Sequence, residues 1–263
     1  MPKEAFGGDD SGGGAAPEKK RMGLDKFGLM PDANIRDVFW RLMASYAATK
    51  KPPEELPRLE QDRFALMRVA ISVLSSPNAG DYGLAPKFIA QYSLMMMLDG
   101  GWKDALAEFL ERSLERKLNM KDEVAGAIRR LMAQERYGKE LSELLTAMVR
   151  GRGTSHIGLE YVAALEDPAL CASMKKELMI IARGDIGRNQ MNAIRAVSLL
   201  KGDDEVKRSL VVLLSHWDAQ ARHAAAEALG AYAGDAEVKS AAEKRLSSES
   251  DEEIKKLLKR LSE

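Results

Sequence analysis

Cysteine is almost missing from this sequence. Cys171 is the single copy among 263 residues, so no disulfide can form within the chain, and nothing indicates an oxidising compartment. Long apolar runs are missing too: SLMMML, from Ser93 to Leu98, is far shorter than the about 20 residues that a membrane-spanning helix needs. The opening stretch MPKEAFGGDDSGGG lacks the apolar region of a secretory signal. These absences predict a soluble, cytoplasmic protein that does not enter a membrane.

An excess of charge of one sign is missing as well. The chain has 40 Lys and Arg residues against 40 Asp and Glu residues, which gives a formal net charge of zero. Because nucleic-acid affinity depends on neutralising phosphates, this balance argues against a nucleic-acid partner, although it does not exclude a local basic face. Aromatic residues make up only 6%, so the core must be built mainly from aliphatic side chains. No pattern for a cofactor is present, and we expect none.

Strand-type alternation is absent, and the composition divides the chain into three parts. Residues 1–30 are rich in Gly and charge and cannot bury enough apolar area to offset the entropy of ordering, which predicts a flexible tail. Residues 31–120 predict an irregular helical half that contains most of the prolines. Residues 121–263 predict regular repeats that end in a capping helix.

A short motif occurs twice in the last part. GDDEVK begins at Gly202 and GDAEVK begins at Gly234, and we call the spacing between these two glycines the repeat interval. Gly at this point can take the left-handed conformation that ends one helix, and the following Asp203 or Asp235 can cap the next. First helices are expected to start near residues 121, 155, 185, 218 and 251, a period typical of stacked helical hairpins. The sequence therefore predicts an all-α, right-handed α-solenoid of about six hairpins.

The last helix has its own signature. Ser250 and Glu253 have the spacing of a capping box, which predicts that Ser250 caps this helix. The helix carries one narrow apolar stripe and is charged elsewhere. A solenoid needs such a polar outer face at its end, so we expect this helix to close the stack.

The stretch DAQARHAAAEALG, from Asp218 to Gly230, resembles the first helix of a HEAT-like repeat of the phycobilisome-lyase type. The matching positions are Asp218, Arg222, Ala225, Ala226, Ala228, Leu229 and Gly230. The residues that follow Asp251, and those that follow Asp185, resemble the start of further units. The resemblance implies that the Asp caps a helix and that the basic residue ties neighbouring turns together. Members of this family include scaffolds, adaptors and a few enzymes, so the fold is implied more strongly than the function.

Four residues beside this helix are the first candidates for chemistry. His216, Trp217, Asp218 and His223 lie around one turn, but a zinc site needs three or four convergent ligands. We therefore expect a repeat junction with polar turn residues and a packed Trp217. Cys171 shares an apolar stripe and is expected to be a buried, inert thiol.

The second helices of the hairpins carry a set of cations, which we predict to bind an acidic partner or phosphates on the concave face of the solenoid. The six residues are Lys175, Lys176, Lys207, Arg208, Lys239 and Lys244.

The function that these features favour is a non-catalytic scaffold or adaptor for another protein. One alternative is a nucleic-acid binder or an enzyme similar to the HEAT-like DNA glycosylases, with Trp217, Asp218 and Arg222 as its candidate residues. Another is an enzyme similar to the phycobilin lyases, acting on a small molecule. Both alternatives stay open at the level of the sequence.

Overall fold

The computed structural model describes residues 33–77 and 83–263, and this part of the chain contains helices and no strand. The predicted tail, residues 1–30, lies outside the described residues. The helices are α1 (Ala33–Thr49), α2 (Arg63–Leu74), α3 (Pro86–Asp99), α4 (Lys103–Ser113), α5 (Lys121–Met132), α6 (Glu135–Arg150), α7 (Ser155–Leu165), α8 (Pro168–Ser173), α9 (Lys175–Gly184), α10 (Arg188–Ser198), α11 (Asp204–Leu213), α12 (Ala219–Leu229), α13 (Ala236–Leu246) and α14 (Glu252–Ser262). Two short 3-10 helices, Leu56–Asp62 and Gly230–Tyr232, precede α2 and follow α12.

The helices form two layers. In the first layer α1, α3, α5, α7, α10, α12 and α14 follow one another, each packed against the next. The second layer consists of α2, α4, α6, α9, α11 and α13, with the short α8 leading into α9. This arrangement confirms an all-α solenoid, with six hairpins and a closing helix in the described residues. Because α3 packs against α5, the stack continues across the predicted boundary near residue 120, and that boundary stays a prediction.

Small side chains set the spacing of the first layer. Ala221, Ala224 and Ala225 of α12 are buried, with Ala225 at 0% exposure. Alanine projects little beyond the backbone, so α10 and α14 can both approach α12 closely. Burying such stripes against each other removes apolar surface from water, which no single hairpin could do alone.

The repeated motif is the joint inside two successive hairpins. Gly202 and Gly234 have φ values of 81° and 90°, in the left-handed region that favours glycine. The Oδ1 atoms of Asp203 and Asp235 then accept from the backbone N–H groups two and three residues further on, at 2.9–3.3 Å. Both predicted caps are confirmed.

Two other helix starts differ from the prediction. α10 begins at Arg188 with Gly187 as its N-cap at φ 67°, while Asp185 accepts from the N–H of Ile186 instead of capping the helix. The predicted capping box at Ser250 is also wrong. The N-cap of α14 is Asp251, whose Oδ1 accepts from the backbone N–H groups two and three residues on, at 2.9 and 3.2 Å. A carboxylate one residue later reaches both free donors, so the hydroxyl has no helix end left to cap.

In residues 33–77 and 83–263, no helix combines the length and the apolar character that crossing a bilayer requires.

Candidate functional site

A buried ion pair lies at the heart of the clearest repeat. Arg222 donates from Nε and Nη2 to the two carboxylate oxygens of Glu249, at 2.7 and 2.9 Å. Its Nη1 donates to the carbonyl oxygens of His216 and Trp217 at 3.0 and 2.9 Å. The hydrogen bond from Arg222 lowers the pKa of Glu249 far below its usual value. Arg222 thus ties the turn before α12 to the turn before α14, in the role that the resemblance implies.

The residues named for a nucleic-acid site do not converge. Arg222 is 7% exposed and fully engaged with protein groups, so it offers no free donor to a phosphate. Asp218 caps α12 by accepting from the N–H of Gln220 at 2.9 Å. Trp217 points away, with 75% of its surface exposed. The prediction of a packed Trp217 is therefore wrong, because the guanidinium of Arg222 occupies the inside of the turn.

The preceding repeat has an amide and an imidazole near the position of the ion pair. Gln190 stands one repeat interval before Arg222, is fully buried, and donates to the carbonyl oxygen of Ala182 at 3.0 Å. Its Nε2 also lies 3.3 Å from Nε2 of His216. Nδ1 of that histidine accepts from the N–H of Asp218 at 3.1 Å. His216 therefore joins two successive turns and has a structural task.

A groove of about 750 Å³ crosses the first-layer helices α7, α10 and α12. Its buried carboxylate, Glu160, accepts from Lys121 at 2.7 Å, from Asn192 at 2.9 Å and from Arg188. Burial alone would raise the pKa of Glu160, but the hydrogen bonds from these three partners outweigh it and hold the pKa below its usual value. Glu160 thus compensates part of the positive charge of Lys121 and Arg188, and none of the six predicted cations lines the groove.

A second buried carboxylate fastens the N-terminal helices. Asp99, whose side chain is 3% exposed, accepts from the hydroxyls of Tyr46 and Tyr137 at 2.9 and 3.1 Å and from Arg136 at 2.6 Å. Burial raises the pKa of Asp99, although these donors act against the shift. The cluster joins α1, α3 and α6. Sequence reasoning missed it because its members are 37 to 53 residues apart and share no local motif.

Groups for metal binding or thiol chemistry are not assembled in the described residues. No cluster there contains three or more His, Cys, Asp or Glu side chains that could hold a metal ion. Cys171 is fully buried, and this burial raises the pKa of its thiol to about 12. His223 lies 3.8 Å from Glu227 on the same helix face, a pair without a further ligand in that part of the chain.

Three of the six predicted cations form a ladder along the second layer. Lys175 donates to the N-cap Asp203 at 2.9 Å, and Lys207 donates to the N-cap Asp235 at 2.7 Å. Lys239, the third in the series, donates to a backbone oxygen near the end of α14 at 3.0 Å. The hydrogen bond to Asp235 raises the pKa of Lys207, and the bond from Lys207 lowers that of Asp235. Lys175 and Lys207 therefore each hold the helix cap of the following repeat.

The other three predicted cations are exposed on the same layer. Lys176 lies on α9, Arg208 on α11 and Lys244 on α13. Lys176 and Arg208 are separated by one repeat interval, so they occupy the same position on neighbouring helices. Their binding of a partner stays a prediction.

Beside these cations lies a surface that sequence reasoning missed. Ile180, Ile186, Val212 and Trp217 are 62%, 63%, 65% and 75% exposed, and we call these four residues the apolar edge. They are four of the five exposed large apolar side chains in the described part of the chain. Ile180 and Val212 lie on α9 and α11, whereas Ile186 and Trp217 lie in the loops that follow these helices.

Two contacts hold the halves of the apolar edge together. Arg183 of α9 donates to Oγ of Ser209 on α11 at 2.7 Å, and the side chain of Gln190 on α10 lies against the ring of His216 in the loop before α12. In the sequence, one repeat interval separates Ile180 from Val212. The recurrence of a large apolar residue at this spacing is the signal that could have revealed the surface.

Fold and contacts define the chain as a helical repeat protein. No family model matches it, and no curated protein does. Among solved structures it is similar to two engineered proteins that were structural-genomics targets, with 16% and 14% identity and TM-scores of 0.43 and 0.46. These matches cover 86% and 85% of this chain, and 95% and 67% of the engineered ones. It is also similar to a designed armadillo repeat protein in complex with the peptide (KR)4, with 16% identity and a TM-score of 0.43. This match covers 79% of this chain and 98% of the designed one.

Proposed function

We propose that this protein is a non-catalytic, protein-binding scaffold and that a partner docks on the apolar edge. The observation that supports this most directly is the exposure of four large apolar side chains, each by more than 60%, on two neighbouring helices and the loops that follow them. Isolated apolar residues on a surface are ordinary, but a contiguous group with a polar rim is typical of an interaction site. Because these side chains are exposed, they contribute little to the packing of the repeats against each other.

The exposed cations belong to the same proposal. Lys176 and Arg208 precede Ile180 and Val212 by four residues, so each cation lies one helical turn from an apolar side chain on the same face. Lys244 follows Val212 by one repeat interval and takes the equivalent position on α13. We assign partner binding to these three cations, while Lys175, Lys207 and Lys239 serve the ladder.

The proposal also covers the repeat family, the cellular compartment, the domain boundary and the binding face. The roles of Asp218 and Arg222 support a HEAT-like repeat of the phycobilisome-lyase type. The buried single cysteine supports a protein that works in the cytoplasm. The regular spacing of the first-layer helix starts from α5 onward supports a division into an irregular half up to residue 120 and regular repeats after it. The partner is proposed to lie on the second-layer face that carries the apolar edge.

The test is a selection of ligands from a random peptide library displayed on phage, with the full-length protein as bait. Selected peptides should bind the wild type and lose most of their affinity for the double variant Ile180→Ser/Val212→Ser. Phe88→Ser, which removes the remaining exposed large apolar side chain of the described residues, is the matched control and should leave binding unchanged. Helical circular dichroism checks that all variants are folded. A library that yields no ligand dependent on the apolar edge would refute the proposed function.

A further inference from the structure

We propose that the apolar edge takes an extended, acidic segment of another protein, with two large apolar side chains three residues apart. This inference rests on the proposed function of the apolar edge as a docking site. It adds the conformation, the spacing and the charge of the occupant. Each of these follows from a different feature of α9 and α11.

The spacing follows from the repeat. Ile180 and Val212 occupy equivalent positions on helices that lie side by side in the second layer. Packed helices are about 8–10 Å apart. A chain in the polyproline II conformation rises about 3.1 Å per residue with about three residues per turn, so positions i and i+3 point the same way about 9 Å apart. Such a segment, lying across α9 and α11, can place one apolar side chain on Ile180 and the next on Val212.

The charge follows from the cations around the apolar edge. Lys176, Arg183 and Arg208 are exposed on this face, and none of them forms an ion pair with a carboxylate of the described residues. Arg183 donates one hydrogen bond to a serine hydroxyl, and Arg208 donates one to a backbone carbonyl oxygen. Their positive charges therefore stay uncompensated beside the apolar side chains.

The carboxylates near these cations are engaged elsewhere. Three of them form ion pairs with other basic side chains, at 2.7, 2.9 and 3.3 Å: Glu177 with Arg150, Glu205 with Lys175, and Asp204 with Lys207. Two carboxylates border the apolar edge directly, against the three cations: Asp185, next to Ile186, and Asp218, next to Trp217, each accept a backbone hydrogen bond. The balance of the surface is thus positive, which favours aspartate and glutamate in the occupant.

The same balance argues against a second copy of this chain as the occupant. In a two-fold dimer both copies use the same patch, so the positive surface of one copy faces the positive surface of the other. Lys176 and Arg208 of one copy would then approach the cations of the other, and like charges brought together disfavour the contact. An acidic segment meets no such repulsion.

The test uses fluorescence anisotropy with the full-length protein and a labelled probe peptide. The probe carries two leucines three residues apart, with aspartate or glutamate at the intervening and flanking positions. One control probe replaces every acid with lysine, and another places the leucines next to each other. Because each apolar contact buries most of a large side chain, Ile180→Ser/Val212→Ser should weaken binding of the acidic probe about tenfold or more.

Charge is tested separately. Lys176→Glu/Arg208→Glu should weaken the acidic probe and strengthen the lysine probe, whereas Lys139→Glu, an exposed change on α6, should alter neither. Raising the salt from about 50 mM to about 500 mM should weaken binding to the wild type, because exposed charges are screened.

Three binding results would overturn the inference: no binding of the acidic probe, equal binding of the lysine probe, or equal binding of the probe with adjacent leucines. A fourth would be a dimer in sedimentation experiments that dissociates in the variant Ile180→Ser/Val212→Ser. If library peptides of other chemistry still depend on the apolar edge, the scaffold function stands and only the identity of the occupant is wrong.

Discussion

Replacing Glu249 with alanine should destabilise the protein by about 3–5 kcal/mol, the range found when one partner of a buried ion pair is removed. The Glu249 side chain is 0% exposed, and its two oxygens accept from Arg222 at 2.7 and 2.9 Å and from Arg245 at 3.0 and 3.1 Å. They also accept from the backbone N–H groups of the next two residues at 2.9 and 3.1 Å. The alanine variant leaves the buried guanidinium of Arg222 without a counterion, and this desolvated charge dominates the loss.

The preceding repeat supplies a control for this reasoning. In that repeat Gln190 stands one repeat interval before Arg222, and its side chain lies against His216 instead of a carboxylate. The double variant Arg222→Gln/Glu249→His should therefore be less destabilised than the single variants Arg222→Gln and Glu249→His added together. Neighbouring residues of one network are expected to show such coupling, and a double-mutant cycle measures it.

Urea denaturation followed by helical circular dichroism gives the free energies of unfolding. The pKa of Glu249 is lower in the folded protein than its ordinary value of 4.5, so its stabilisation is fully present above that value and is lost as the pH falls through the folded pKa. The difference in the free energy of unfolding between the wild type and Glu249→Ala should accordingly become smaller in acid. A cost below about 1 kcal/mol at neutral pH, or a difference that is the same in acid, would refute the account of a buried, charged clamp.

Four further predictions use simpler measurements. Asp251→Ala should cost about 1 kcal/mol in urea denaturation, because it removes the N-cap of α14, whereas Ser250→Ala should cost almost nothing; the reverse order would restore the capping box. Asp99→Ala should cost about 2 kcal/mol or more, since three donors lose a buried acceptor, and a cost near zero would show that water replaces it. Cys171 should resist a thiol reagent at about pH 8 in the folded protein and react promptly in urea, because the thiolate is the reactive form and burial raises the pKa of the thiol to about 12. Trp217→Ser should shift the tryptophan emission to shorter wavelength and change stability by less than about 0.5 kcal/mol, because the lost indole is exposed; an unshifted spectrum would place the indole inside.

Local patterns predicted the elements whose causes are local. The pairing of Gly with Asp at Gly202 and Gly234 indicated both joints, because a left-handed residue followed by a cap is a matter of a few neighbouring residues. Where two residues could serve as the cap, at Ser250 and Asp251, the pattern chose the wrong one.

The site depended on relations that no local pattern contains. Arg222 reaches Glu249 across 27 residues, and that contact, rather than hydrophobicity, places Trp217 on the outside. The cations of the second helices looked alike in sequence, yet Lys207 has a partner in the next repeat while Lys176 has none among the described carboxylates. Such differences arise from the stacking of units, which is known only once the fold is known.

The lysine ladder makes the C-terminal half modular. Two of its contacts join a lysine of one unit to the N-cap of the next: Lys175 with Asp203, and Lys207 with Asp235. Duplicating residues 204–235 would insert a complete unit in which every such lysine still meets an aspartate. An insertion of half that length would instead leave a lysine without its aspartate partner. Adding or removing whole units, in evolution or by engineering, therefore preserves the contacts between each lysine and the N-cap of the next unit.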